Sequence, residues 1–353
     1  MENKEIAFKI FECLEREHLN LYHTLSKEKI HEKINNIKNI NNLTDVEFDH
    51  EMLKLFSQLK DGHTTYFIKN ISVSHRFFYL NNKVYVKINE RYEEVLSFNN
   101  LSAGDVVKKI KKLINYETNE WLNYKVSEFL NNGYVLEMLK LFKNNRIELS
   151  VKILDNPTLF IVSKVDAPQS KPKQPVPYGF SILDKNILYV WYKKCFSVED
   201  YPFEKMVEDI STEIKNKNIT KYILDVRNNG GGNSEVLNPF QDLIRKTKLN
   251  GVMLINNGVF SSGRFAVARF KKEFNVTLIG QGTGGAAKSY GYNKNLEVEG
   301  KRFSCSIRLW DFSDIFGYTG SITPDIFVNV TIDDYNNKND VVLKEAIKFL
   351  TKN

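Results

Sequence analysis

The sequence predicts an α/β protein. A largely parallel sheet layered with helices fills its C-terminal half, preceded by a helical region and an α+β segment. Three observations carry this. From Tyr178 onward, short apolar runs alternate with amphipathic stretches, the pattern of strand and helix units that builds a parallel sheet. Residues 3–60 repeat apolar side chains at helical spacing. Residues 76–165 mix hairpin-like and helical patterns. The composition, 42% hydrophobic and 26% charged, is that of a globular chain and too apolar for disorder. A length of 353 residues suggests two or three structural units.

In the first region Ile6, Phe8, Ile10, Phe11 and Leu14 mark one helix. Thr44 and Glu47 form a capping box that opens another through Met52, Leu53, Leu55, Phe56 and Leu59. That helix is expected to end at Lys60-Asp61-Gly62, with Gly62 as its cap. His63 follows, then a β-like run over 64–68. Runs at 76–80 and 84–88 flank an Asn-Asn turn and read as a hairpin. Residues 95–98, 146–153 and 158–164 read as strands, and 103–115 and 117–131 as helices. The stretch 167–177 holds four of the eight prolines and reads as an extended crossover. Beyond it, strands are expected at 187–192, 222–226, 252–255, 276–279 and 326–330, with helices near 201–217, 233–247, 262–273 and 339–351. The expected organisation is a helical region over 1–70 carrying His63, an α+β insert over 71–166, a linker over 167–177 and an α/β core over 178–353.

Several function classes drop out. The net charge of +7 is a mild excess without a basic block or interleaved aromatics, so no nucleic-acid partner is expected. Cys13, Cys195 and Cys305 are far apart, with no CxxC, which fits a reducing compartment and argues against structural zinc. The charged amphipathic N-terminus lacks the apolar core of a signal peptide. No run approaches the roughly 18 apolar residues of a membrane span. The expectation is therefore a cytoplasmic protein with no membrane partner, metal or cofactor.

Four segments could carry chemistry. In 225–233 (DVRNNGGGN) three glycines lie between a strand and a helix. Such a turn can expose N–H groups to an anion or a developing oxyanion, or it can be a plain tight turn. It is neither a dinucleotide fingerprint nor a Walker loop. In 256–263 (NNGVFSSG) Ser261 stands at a strand-to-helix turn. It could be an exposed nucleophile or simply a helix cap. All six histidines lie at or before His75, so a serine in the core that needs a histidine base must recruit it from the N-terminal half. His63, after a glycine at a helix–strand junction, is best placed. Finally 280–288 (GQGTGGAAK) could line a substrate cleft with Gly284 and Gly285, and Lys288 could act as a base if desolvated.

Together these segments resemble the S41 serine peptidases, the tail-specific or C-terminal processing proteases. The matching pieces run in family order: LKDGHT at 59–64, 178–196, YILDVRNNGGGN at 222–233, LINNGVFSSGRFAVARF at 254–270, VTLIGQGTGG at 276–285 and ITPDIFVNV at 322–330. The resemblance implies a crotonase/ClpP-like ββα core and an acyl-enzyme peptidase acting on peptides or proteins. One branch of the family places a lysine base in the loop after the nucleophile. Here Ala286 occupies that position and Lys288 lies two residues on. The other branch, similar to tricorn-core and nisin-resistance proteases, takes a histidine from a DGHT-like segment, which is present. The resemblance thus implies Ser261 as nucleophile, His63 as base, and N–H groups of Gly230 or Gly231 and Ser262 as the oxyanion hole. Lys288 is the alternative base. That branch also has a glutamate shortly before its Pro-Asp pair, but the stretch before Pro324-Asp325 contains no acid. The insert lacks a clear PDZ carboxylate-binding loop. The alternative reading is a non-catalytic ligand- or peptide-binding protein on the same fold.

Overall fold

The computed structural model describes residues 2–154, 156–165 and 176–352. The proline-rich crossover expected at 167–177 lies outside the described residues as far as position 175. The chain is a mixed α/β protein of two compact units. One comprises Met1–Gln169 with Ser289–Trp310, the other Ser170–Lys288 with Asp311–Asn353.

In the first unit, helices Asn3–Glu17, Lys27–Asn35 and Asp45–Phe56 bury one apolar stripe each. The Thr44–Glu47 capping box forms as expected. The helix it opens stops at Phe56, earlier than expected, and Gly62 does not cap it. Lys60 takes the left-handed conformation instead, at φ 53°. Its ammonium lies 3.7 Å from the Tyr116 ring centre. Past Phe56 the chain tightens into i→i−3 turns, with Gln58 N–H on Leu55 O at 3.2 Å and Leu59 N–H on Phe56 O at 3.0 Å, and the Asp61 N–H goes to the Asn115 side chain at 3.0 Å.

The sheet of this unit is antiparallel, ordered Ser72–Val73, Asn156–Val165, Arg146–Ile153, Arg91–Phe98, Lys83–Ile88, Phe77–Leu80. Asn81 and Asn82 both have positive φ, as a two-residue hairpin turn requires. Ile147, Leu149 and Val151 alternate inward, where helices Ala103–Lys111, Asn119–Leu130 and Gly133–Met138 contribute to the same core. A further hairpin, Lys288–Val298 with Lys301–Asp311, completes it. Phe303 and Cys305 of that hairpin are fully buried in the first unit's core, with Phe303 6.2 Å from the Phe56 ring.

The second unit is built on a six-stranded sheet ordered Ile326–Phe327, Thr277–Gly280, Asn250–Ile255, Lys221–Asp225, Ile187–Tyr192, Tyr178–Leu183. The pairings are parallel except the last. Side chains alternate between two cores. Tyr222, Leu224, Met253 and Ile255 join helices Phe203–Lys217, Asn238–Thr247 and Ser262–Phe274. Ile223, Val252 and Leu254 join Val342, Ala346 and Leu350 of helix Val341–Lys352. Burial on both faces is why these strands read as continuous apolar runs. Among the described residues no helix is long and apolar enough to cross a membrane.

Candidate active site

The second unit sets two loops side by side at the carboxyl ends of its central strands. The first, after Lys221–Asp225, is anchored by a buried ion cluster. Asp225 accepts from Arg227 at 2.9 Å and from Lys193 at 2.7 Å, and Arg227 also grips Asp340 at 2.7 Å. Burial alone would raise the Asp225 pKa, but the Arg227 and Lys193 hydrogen bonds and charges lower it to about 2. Asn229, fully buried, then shapes the glycine turn. Its Oδ1 accepts the Gly231 N–H at 2.9 Å and its Nδ2 donates to Tyr192 O at 2.8 Å. Sequence reading did not single out Asn229 as the pin of this turn.

The second loop carries Ser261. The Phe260 N–H donates to Asn229 O at 2.9 Å, tying the loops together. Ser261 occupies the N-cap position of Ser262–Phe274 but makes no side-chain capping bond, and its backbone sits at φ 50°, ψ −126°. That conformation is strained for a residue with a Cβ. The cap alternative therefore does not describe Ser261: a capping serine would be extended and bonded to the first turn. The Ser262 N–H, at the first helical position, has no intrahelical acceptor, and its hydroxyl donates to Gly232 O at 2.6 Å. Gly231, at φ +105°, lies against the serine. A Cβ there would be 2.6 Å from Ser261 Cβ, 2.8 Å from Ser262 N and 3.0 Å from Ser261 Oγ. Gly230 has open space around it.

The Gly231 N–H is already engaged by Asn229, so as an oxyanion donor it must first give up that bond. Gly284 and Gly285 are buried, and Gly285 braces the Ser261 loop. The Gly285 N–H donates to Val259 O at 2.9 Å, and a Cβ on Gly285 would meet Arg264 Cδ at 2.9 Å. Arg264, itself fully buried, donates to Ala286 O. Lys288 is exposed and paired with Asp311 at 2.8 Å. A lysine base needs the opposite, a desolvated amine.

In the first unit, His63 is buried in a loop held from three directions. Its own N–H donates to Asp61 Oδ1 at 2.9 Å, and Ser304 Oγ of the hairpin donates to its carbonyl at 2.7 Å. Its ring lies along Gly291, where a Cβ would sit 3.5 Å from Cε1. Residues Thr65 and Ser304 exchange backbone hydrogen bonds at 3.2 and 2.8 Å. Asp61, wholly buried, accepts also from His18 Nε2 at 3.0 Å and Thr64 Oγ1 at 2.6 Å. Burial pushes its pKa up, but these bonds and the nearby His63 charge outweigh that and hold it well below the usual carboxylate range. Among the described residues, Asp61, His63 and Glu117 are the group of metal-ligating types brought together, with one atom of each within 4.8 Å of the others. Three donors already occupy the Asp61 oxygens, which suits a hydrogen-bonded acid more than a metal ligand. His18 and Glu117 were not among the residues expected from sequence to serve the site. His18 lies 45 positions before His63 in a charged surrounding, and Glu117 immediately precedes the Thr118 cap of helix Asn119–Leu130.

No family model and no curated protein matches the sequence. Solved structures do match in fold. Mature CPAF complexed with lactacystin aligns at a TM-score of 0.70 with 13% identity, over 98% of this chain and 97% of that one. The photosystem II D1 C-terminal processing protease aligns at 0.50 with 12% identity, over 93% and 94%. The tricorn protease aligns at 0.50 with 13% identity, over 99% of this chain and 36% of its own. At these identities the likeness speaks for the fold: this chain has the fold of the S41 peptidases.

Proposed function

We propose that the protein is a serine peptidase that cleaves peptides or proteins through an acyl-enzyme, with Ser261 as nucleophile and His63 as general base. The observation that carries this reading is the backbone of Ser261. A strained, uncapped serine at a helix N-terminus, braced by a glycine with positive φ, holds its hydroxyl against the glycine turn at a stability cost that a structural serine has no reason to bear.

The reaction requires the His63 imidazole of the first unit to meet the Ser261 hydroxyl of the second. His63 takes the hydroxyl proton as Oγ bonds to the substrate carbonyl carbon, and returns it to the leaving amine. The negative charge developing on the carbonyl oxygen falls to the Ser262 N–H, aided by the helix dipole. The second donor comes from the glycine turn, either the exposed Gly230 N–H or the Gly231 N–H released from Asn229. Water then hydrolyses the acyl-enzyme. The exposed, ion-paired Lys288 is a surface group in this scheme.

A fluorophosphonate probe tests the assignment without a known substrate. Ser261 becomes labelled in the native protein, Ser261→Ala abolishes labelling, His63→Ala slows it by a factor on the order of 10³, and Lys288→Ala leaves it near the native rate. A native protein that leaves Ser261 unlabelled is a ligand-binding relative, and the peptidase reading falls.

A further inference from the structure

His63 has no acid supplied from the stretch before Pro324, so the group that steadies its imidazolium must come from elsewhere. Within the first unit the ring is faced by two carboxyl groups. Asp61 and Glu117 each bring an oxygen within 4.8 Å of a His63 nitrogen. A further titratable group, His18, stands behind Asp61, and the hairpin brings Gly291 to the ring.

Asp61 is committed to the loop. Its Oδ1 accepts the His63 N–H, and its Oδ2 accepts both His18 and Thr64. His18 does not neutralise it. The Asn20 N–H donates to His18 Nδ1 at 3.0 Å, which requires a lone pair there and places the proton on Nε2, facing Asp61. Asp61 is therefore a buried anion whose acceptor sites are largely filled. It contributes field but has little capacity left for a ring N–H.

Glu117 is differently placed. It accepts the Gly62 N–H at 3.4 Å. Its position is set by neighbours. Asn115 clamps the loop by accepting from Asp61 N at 3.0 Å and donating to Thr64 O at 2.7 Å. Thr118 caps helix Asn119–Leu130 through the Trp121 N–H at 3.1 Å. Glu117 sits between these two fixed points, half-buried.

We propose that Glu117 is the positioning carboxylate of His63, supplied by the insert. It orients the ring and stabilises the imidazolium formed when the base takes the Ser261 proton, and takes no proton itself. The inference rests on the Ser261–His63 reading. At this separation the partner acts through its charge and through a bond that shortens as the imidazolium forms.

The test compares native protein, Glu117→Gln and Glu117→Asp by fluorophosphonate labelling rate across pH, and by NMR titration of the His63 ring. Glutamine keeps the size and the acceptor for Gly62 but removes the charge. Labelling should slow on the order of tenfold, and the lower limb of the pH profile and the His63 titration should both move down by about half to one unit. The melting temperature should stay within a few degrees, and aspartate should restore part of the rate. A merely structural glutamate would move the melting temperature and leave the titration in place. An unmoved limb and an unmoved His63 titration in Glu117→Gln, in a protein that loses labelling on His63→Ala, overturn the assignment of Glu117 alone. Native-rate labelling of His63→Ala overturns the Ser–His reading instead.

Discussion

Replacing Gly231 with alanine puts a single methyl group where the proposed reaction needs empty space. The new Cβ would lie 2.8 Å from Ser262 N and 3.0 Å from Ser261 Oγ, between the nucleophile and the donor assigned to the oxyanion. Ser261 Oγ can rotate away, but Ser262 N is backbone and Ser261 Cβ, 2.6 Å from the new methyl, is fixed to it, so the backbone of one loop must shift. The φ of +105° adds strain of about 1–3 kcal/mol for any residue with a Cβ. The fold should survive, with a melting temperature lowered by roughly 4–12 °C if about 2–3 kcal/mol is lost. The labelling rate should fall further than stability alone would explain, by about 10²–10³, the usual effect of losing one oxyanion donor. Gly230→Ala is the internal control: its Cβ meets nothing within 4 Å, so both readouts should stay close to native. Fluorophosphonate labelling followed by mass spectrometry, beside a thermal melt, measures both. Native-rate labelling of Gly231→Ala would refute the geometry argued for the site.

Ser261→Gly relieves the φ 50°, ψ −126° conformation. It should be more stable than Ser261→Ala by about 1 kcal/mol while equally unreactive, as read by paired denaturant titrations. Asp225, with its pKa lowered to about 2, is a depressed carboxylate. Its contribution is fully present above the ordinary carboxylate range, and protonation removes it as pH falls from about 4 through 2. It amounts to roughly 2 kcal/mol, and Asp225→Asn should flatten that part of the acid-denaturation curve. The same variant should lose stability at pH 7, because Lys193 and Arg227 would lose their shared buried counter-charge. Labelling of the native protein should rise with pH as His63 loses its proton, and Lys288→Ala should not shift that limb.

Much of the second unit was legible locally. Continuous apolar runs at 187–192, 222–226 and 252–255 announce strands buried on both faces, and each is a central strand of the observed sheet. The glycine turn and the serine turn follow two of those strands in sequence, so a parallel sheet necessarily delivers both to the same edge. The Thr44–Glu47 box and the Asn81-Asn82 turn were legible for the same reason: the groups that stabilise them are three residues apart or fewer. The path of the chain after helix Asp45–Phe56 was not, because the Asp61 N–H bonds to a side chain 54 positions away.

The sequence by itself determined the alternation of strands and helices, the two loops of the candidate site and the segment that carries the histidine, since periodicity and turn chemistry are written in neighbouring residues. Tertiary structure alone decided three things. It showed that Ser261 is strained instead of capping, a property of backbone angles that residue identity leaves open. It returned residues 289–310 to the first unit, where Ser304 and Gly291 hold the His63 loop. And it brought His18, Asp61 and Glu117 around that loop from three separate stretches of chain. Spacing along a sequence reports helix faces and turns, but a hydrogen bond between residues separated by 43 or 241 positions leaves no periodic trace. Only the folding of the intervening chain creates it.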